Sequence, residues 1–374
     1  MKVAIVSWAE NVSGKEIMTL ELGEGLRSAG HEIVFVTSFW NDGSYQKRLN
    51  ELGFEHVSVA LGSISATLRL DCVGRTLKQL IQLPALWKDF RQFMTETGAQ
   101  QAIHTSWHHL ILLWPYLRTD RDWYWVHEVL PDKPHYRRLF MRLTRRLRGF
   151  VAVSQAVADS LLALGVPSAK IHVVHNGLRD ISAATPVREM TEAPIRIGIV
   201  GQVAEWKGHH LLLDALPSIL AVHPETELHI YGAGPEEYVR ALHAQIRRLK
   251  IGKKVLWHGY VENRAAIYGS LDLCVLPVPL GASEALPTIA IEAGFFGLPV
   301  VATRIGGLQE IIDDERTGFL VTPGDRSALV SQLLRLVGEA GLRAQMGLAA
   351  RERVLRLFNR DRFVADFSRI LSRD

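Results

Sequence analysis

Two glutamates eight positions apart, Glu284 and Glu292, are the side chains best placed to do chemistry. Glu292 is the one ionisable residue between Glu284 and Arg304, and its neighbours include Ile289, Ile291, Phe295 and Phe296. Such neighbours predict a core helix. Carboxylates are rarely buried there without a partner, because even a neutral polar group costs roughly 2–7 kcal/mol to move from water into an apolar medium. Glu292 therefore needs a specific partner, either a protein donor or the hydroxyls of a ligand. Glu284 precedes the helix, and Pro287 suits its first turn. Free backbone N–H groups and the positive end of the helix dipole favour an anionic or hydroxyl-rich ligand at that point. A glycosidase pair is excluded. Its carboxyls face each other at about 5–10 Å across one bond, whereas Glu284 and Glu292 would stand about 12 Å apart if both were helical.

The elements that must hold these carboxylates are legible from apolar patterning. The chain begins twice. Lys2-Val-Ala-Ile-Val-Ser7 predicts a buried strand, Glu16 to Ala29 a helix closed by Gly30, and His31 to Thr37 a second strand. Later, Ile195 to Gly201 predicts a strand, His209 to Val222 a helix, and Glu227 to Gly232 the next strand. Apolar strands alternating with helices specify parallel sheets covered on both faces, so the fold class is α/β with two doubly wound domains. The stretch from Arg179 to Pro194, with Ser182, Thr185 and Pro186, reads as a linker. Ligands of doubly wound sheets sit beyond the carboxyl ends of the strands, and a cleft between two facing domains is the default site.

Length and composition agree. At 374 residues the chain is too long for one ordinary core. Its 48% hydrophobic and 22% charged residues describe a globular protein, and a net charge of +4 does not indicate a nucleic-acid binder. Cys72 and Cys274, the two cysteines, build neither a disulfide framework nor a cysteine zinc site, which fits a reducing cytoplasm. No run of eighteen apolar residues occurs, and the apolar start meets Glu10 too early for a signal peptide. Hydride transfer is disfavoured: Gly232-Ala-Gly234-Pro235 lacks the third glycine of a dinucleotide fingerprint.

Three groups of residues carry a family resemblance over nearly the whole chain. They are Glu284 to Glu292 followed by Gly297-Leu-Pro-Val-Val-Ala-Thr303 and Gly306-Gly307; Val153 to Val157 with Gly165-Val-Pro167, Lys170-Ile171 and His175-Asn-Gly177; and Gly201 with Lys207-Gly208. In this order and spacing they resemble glycosyltransferase family 4, retaining enzymes of GT-B fold. The resemblance implies two Rossmann-like domains facing across a cleft: an acceptor domain over 1–180, a linker over 181–194, a donor domain over 195–358, and a terminal helix over 359–374 crossing back to the first domain. It implies no cofactor and no metal, a nucleotide diphosphate sugar as donor, and a carbohydrate or lipid-linked acceptor.

Carried over position by position, the resemblance puts Glu292 on the ribose hydroxyls. Glu284 lies by the transferred sugar with Ala285, Leu286, Pro287 and Thr288, and Lys207 meets the diphosphate beside Gly201. A fixed ammonium and a helix start can together stabilise a leaving diphosphate without a metal. Gln202 departs from the pattern, because many members carry arginine there as a second phosphate clamp. Either Lys207 acts with the helix dipole alone, or another cation such as Arg304 helps. Gly259, Tyr260 and Val261 are expected near the base. On the acceptor side the resemblance points to Ser13, Gly14, His104 and His127. The last of these ends the predicted strand Trp123-Tyr-Trp-Val-His127.

Several features admit two readings. His127 and His104 are otherwise satisfied core histidines, and Trp107, Trp114, Trp123 and Trp125 either stack on sugar rings or pack the core. His108 and His109 have little support as metal ligands. Tyr136 to Arg148 is the most basic segment, with Leu139, Leu143 and Leu147 at helical spacing and Arg138, Arg142, Arg145 and Arg146 on another face. It is either an amphipathic helix on an anionic membrane surface or a docked helix with solvated arginines. The expected location is cytoplasmic, with the inner face of the cell membrane as a candidate surface. The rival functions are a sugar-nucleotide epimerase of the same fold and a non-catalytic binding protein.

Overall fold

The computed structural model describes residues 1–8, 12, 14–64, 70–182 and 194–372, and for residues 70 and 71 it describes the backbone alone. Ser13 and most of the 181–194 stretch lie outside the described residues. The chain divides into two compact units, Met1–Gly177 with Arg360–Asp374, and Leu178–Asn359.

Among the described residues the first unit holds seven parallel strands: β1 (Lys2–Val6), β2 (Glu32–Ser38), β3 (Glu55–Val59), β4 (Gln101–His104), β5 (Asp122–Val126), β6 (Gly149–Ala152) and β7 (Ile171–Val173). Their order is β3-β2-β1-β4-β5-β6-β7. The second unit holds six: β8 (Arg196–Val200), β9 (Glu227–Tyr231), β10 (Val255–Gly259), β11 (Leu273–Leu276), β12 (Val300–Thr303) and β13 (Gly318–Val321), in the order β10-β9-β8-β11-β12-β13. Each sheet grows outward in both directions from its first strand, as the repeated strand–helix–strand pattern predicts. The central strands are near-continuous apolar runs because helices cover both their faces. Val3, Ala4, Ile5 and Val6 are fully buried in one unit, as are Ile197 and Leu273 in the other. The order reverses between β1 and β4, and again between β8 and β11. At these points the loops leaving the carboxyl ends diverge to opposite faces and open a crevice.

The terminal helix Arg360–Leu371 packs in the first unit against the helix Gly14–Ser28. Phe363 and Phe367 place their rings 5.7 Å and 5.0 Å from that of Trp125. Arg360 reaches Glu21 at 3.5 Å and Glu24 at 3.9 Å. Trp123 and Trp125 are buried, which settles those two as core packing.

One expected element is shorter than its periodicity. The basic helix runs over Pro134–Leu143 and does not reach Arg148. Arg145 and Arg146 donate back only three residues, to Arg142 and Leu143, tightening the end into turns. The Lys170 ammonium then takes the carbonyls of Thr144 and Leu147, each at 2.7 Å. These carbonyls are satisfied without a further helical turn, and the chain enters β6 at Gly149. Phe140, Leu143 and Leu147 are buried, while Arg138, Arg142, Arg145 and Arg146 are exposed. The apolar side of this segment is therefore occupied by its own core.

In the second unit the helix Ala340–Leu357 lies close against Thr288–Phe295 and the turn that follows it. A Cβ on Gly347 would stand 1.9 Å from the Gly297 carbonyl oxygen, which is backbone and cannot rotate away. Gly347→Ala is expected to destabilise the protein by about 1–3 kcal/mol through overpacking, although alanine is the better helix former by about 1 kcal/mol. Urea denaturation with an unchanged slope checks it.

Candidate functional site

The crevice between β8 and β11 gathers most of the residues singled out from the sequence. Gly201, Gln202 and Lys207 lie on the connection after β8, Glu284 to Pro287 on the loop after β11, and Thr288 opens the helix that follows. Gly259 ends β10, and the exposed Tyr260 and half-buried Val261 follow it. These strand ends are neighbours on one sheet edge, and backbone bonds tie their loops together. The Gly201 N–H donates to the Tyr231 carbonyl at 2.9 Å, and the Gly232 N–H to the Gly259 carbonyl at 2.7 Å.

Lys207 and Glu284 meet. The Lys207 ammonium donates to Glu284 Oε1 and lies 4.2 Å from the centre of the Trp206 ring, a cation–π contact. Glu284 is only 7% exposed, so this pair is poorly screened by water. Its backbone is fixed from the other side, where Gly307 N–H donates to the Glu284 carbonyl at 3.0 Å. A Cβ at Gly306 would sit 1.8 Å from that carbonyl, and φ there is +50°. Glycine is required on both counts. Gln202 is exposed on the same loop. Arg304, the candidate second cation, is bonded to Asp314 and also donates to the Leu320 carbonyl at 3.2 Å.

Pro287 stands just before the helix Thr288–Phe295, one position earlier than its expected place in the first turn. Glu292, 5% exposed, lies inside that helix. Of the two partners the sequence left open, the structure supplies the protein donors. Arg264 Nη1 donates to Oε1 at 2.7 Å, and the buried Tyr268 hydroxyl donates to Oε2 at 2.8 Å. Burial raises the carboxyl above its ordinary range, while Arg264 and the Tyr268 hydrogen bond pull the other way. A carboxylate oxygen accepts more than one hydrogen bond, so each keeps acceptor capacity. Neither oxygen is without a partner, however, and a ligand at Glu292 must share it with Arg264 and Tyr268. Sequence reasoning missed both donors. Arg264 opens the helix Arg264–Gly269 behind the Asn263 cap, 28 residues from Glu292, and no spacing rule links the two.

In the first unit the corresponding edge carries histidines. Gly14 begins the helix after β1, and His127 follows the end of β5. The His127 ring is tilted against that of Trp125 with centres 4.2 Å apart, and its buried Nε2 has no hydrogen-bond partner among the described residues. Burial, aided by the Lys15 ammonium, pushes its imidazole well below the usual histidine range, so it is neutral at physiological pH. His108 is lowered in the same way to about 4. Lys15, which sequence reasoning passed over, donates to the Trp8 carbonyl at 3.2 Å and stands 3.4 Å from Glu16. His104 ends β4 at this edge. It is fully buried, with Nε2 2.7 Å from Asp122 Oδ1, and that carboxylate also accepts from Arg118 N–H and Arg121. Its Nε2 is satisfied, while its buried Nδ1 has no hydrogen-bond partner among the described residues.

Among the described residues no group of three or more His, Cys, Asp or Glu is arranged to hold a metal ion, and no helix is long and apolar enough to cross a membrane.

Comparison with known proteins follows these units. Residues 12–180 match the model of Glycosyltransferase Family 4, and residues 194–339 that of Glycosyl transferases group 1. The chain belongs to the family 4, group 1 glycosyltransferases. Within the family it is 26% identical over 232 residues to N-acetyl-alpha-D-glucosaminyl L-malate synthase of Bacillus anthracis, covering 59% of this chain and 58% of that protein. It is 32% identical over 216 residues to D-inositol 3-phosphate glycosyltransferase of Corynebacterium jeikeium, covering 53% and 50%. The match thus spans little more than half the length of these relatives. Among solved structures, Anabaena Alr3699/HepE in complex with UDP-glucose superposes with a TM-score of 0.82 at 20% identity, covering 100% of this chain and 99% of that one. The two parallel-sheet units are those of the GT-B fold.

The Glu292 contacts generate a pH-dependent prediction. Arg264→Met removes the main charge opposing burial, leaving a carboxyl raised further above its unfolded value. Such a group favours the folded state when protonated. Stability is then best below the ordinary carboxyl range and falls as pH rises through the folded-state value. We expect a loss of roughly 2–3 kcal/mol at neutral pH, below the full cost of stranding a buried charge because the guanidinium is partly solvated. Part of it returns on acidification. Urea unfolding at neutral and mildly acidic pH measures both.

Proposed function

We propose that this chain is a metal-independent, retaining glycosyltransferase that moves a hexose from a nucleotide diphosphate sugar to a hydroxyl of a sugar, a lipid-linked sugar or a small molecule. The observation that carries the reading is the meeting of Lys207 and Glu284 at the switch point of the second sheet, beside the start of the helix Thr288–Phe295. An ammonium and a helix N-terminus together suit a diphosphate, and the adjoining carboxylate suits sugar hydroxyls. That Alr3699/HepE, of the same fold, is described in complex with UDP-glucose supports a nucleotide sugar as the ligand class.

In this reading the donor diphosphate lies against Lys207 and the backbone around Gly201. The acceptor hydroxyl oxygen attacks the anomeric carbon on the face from which the diphosphate departs. The bond to the leaving phosphate oxygen breaks, its electron pair stays on that oxygen, and the acceptor's proton passes to it. Lys207 stabilises the charge that develops there, an effect strongest in a site sheltered from water. Glu284, with the backbone of Ala285 and Leu286, holds the transferred sugar. Glu292 accepts from the ribose hydroxyls alongside Arg264 and Tyr268, and Gly259, Tyr260 and Val261 lie by the base. Neutral His127 hydrogen-bonds the transferred sugar without adding a charge, with Gly14 and Ser13 on the acceptor side.

Lys207→Ala is expected to lower turnover at least ~100-fold, the size of losing one transition-state electrostatic partner. Release of nucleoside diphosphate that requires both donor and acceptor is the measurement. Near-normal turnover removes Lys207 from the mechanism. An epimerised nucleotide sugar formed from donor alone replaces transfer with isomerisation.

A further inference from the structure

Residues 133–158 contain seven Lys and Arg and no Asp or Glu, more positive charge than the +4 of the whole chain. Two of these cations have work inside the fold. Arg137 grips Asp132 through both fork nitrogens, at 2.5 and 2.6 Å, and Arg148 donates to the Asp120 carbonyl at 3.0 Å. Arg138, Arg142, Arg145 and Arg146 are exposed, and none has a carboxylate partner among the described residues. Arg146 lies over the half-buried Trp114 ring at 5.5 Å, a contact that steadies its guanidinium plane.

The course of the helix gives these arginines a direction. Pro134–Leu143 leaves the carboxyl end of β5 and hands the chain to the amino end of the parallel strand β6. It therefore starts at the edge that carries His127 and runs away from it. Tyr136, in its first turn, meets Trp107 with ring centres 5.8 Å apart, and Trp107 stacks on His108 at 3.7 Å. From there Arg138 and Arg142 follow on one face of the helix, four residues apart. Arg145 and Arg146 continue the line in the tightened end. Residues 136–146 cover about 15 Å at helical rise.

One small anion cannot meet four charges strung over that length, whereas a chain with charges at intervals can. Guanidinium forks match planar carboxylates bidentately. An inserted bilayer contact would need an apolar stripe beside the cations. Here Phe140, Leu143 and Leu147 are packed inward, and Met141 is the one exposed large hydrophobe of the segment. We propose that this arginine ridge is a docking track for a carboxylated glycan chain, one end of which lies at the His127 edge. That the docked glycan is the acceptor rests on the transfer reaction proposed above; its binding does not.

The test is calorimetric titration of the full chain, without donor, with oligogalacturonate and with a neutral maltooligosaccharide of equal length, at low and high salt. Polyphosphate and phosphatidylglycerol vesicles are titrated in parallel. Expected is oligogalacturonate binding that weakens with salt and exceeds that of the neutral chain at least ~10-fold. Arg138→Gln/Arg142→Gln/Arg146→Gln should lose at least ~10-fold in affinity with an unchanged melting temperature. Arg240→Gln/Arg247→Gln/Arg248→Gln removes the same charge from exposed positions of the helix Glu236–Leu249 and should bind as the parent does. The proposal falls if the parent ignores oligogalacturonate at low salt, whichever of polyphosphate or vesicles it binds instead. It also falls if the first triple variant binds as the parent does, or if the second loses as much. Since no donor is present, loss of transfer with binding intact would overturn the reaction and leave the track standing.

Discussion

The ion pair between Lys207 and Glu284 can be no better placed than the two loops that carry it. Those loops leave β8 and β11, adjacent strands whose connections run to opposite sides of the sheet. They meet again because their backbones approach to the limit of contact. A Cβ on Gly208 would stand 1.9 Å from the Pro277 carbonyl oxygen, at a φ of +77°. A side chain there would part the loops and draw the ammonium off the carboxylate. The site in the second unit therefore depends first on backbone proximity at a topological switch point, and only then on the side chains that chemistry uses.

The carboxyl edge of the first unit shares this topology but uses different physics. Its switch lies between β1 and β4, where the Thr105 hydroxyl lies 3.2 Å from both the Val6 carbonyl oxygen and Ser7 Oγ. There one ammonium, Lys15, stands among imidazoles that burial keeps neutral. Neutral rings can donate to or accept from a hydroxyl without bringing charge to it. One edge thus presents ion pairs and the other sets the Lys15–Glu16 pair among neutral imidazoles, although both grow from the same strand–helix repeat.

How much of this was legible in the sequence follows from the range of the forces involved. The strands and helices were readable because parallel sheets demand apolar runs and covering helices demand their own period, both local signals. Glu284, Lys207 and the Gly306-Gly307 pair were readable as parts of loops. Their meeting was not, since it depends on which strands become neighbours. The partners of Glu292 were unreadable for the same reason. An apolar helix shows that its one carboxylate needs a donor, but Arg264 and Tyr268 come from another helix across the sheet edge. His104 and the Tyr136–Arg148 segment were ambiguous in a shared way. A strand-end histidine and a leucine-spaced basic stretch look the same whether they face outward or inward. What turned them inward was Asp122 for the first, and Lys170 with the Phe140, Leu143 and Leu147 core for the second.

Charge pairing in the second unit bears on the departure at Gln202. Three cations lie within reach of its carboxyl edge by sequence position, and each already holds a carboxylate: Lys207 with Glu284, Arg264 with Glu292, and Arg304 with Asp314. Gln202 supplies a neutral amide to that loop and no second cation beside Lys207. On the proposed function, a diphosphate must then draw Lys207 partly away from Glu284, and the carboxylate so loosened is the group assigned to the transferred sugar. Phosphate and sugar recognition become coupled through one ion pair. A nucleoside diphosphate alone leaves Glu284 without a partner at 7% exposure, whereas a nucleotide sugar replaces the lost ammonium hydrogen bond with hydroxyl donors. Because a desolvated carboxylate without a partner is costly, this arrangement favours the intact donor over the spent nucleotide.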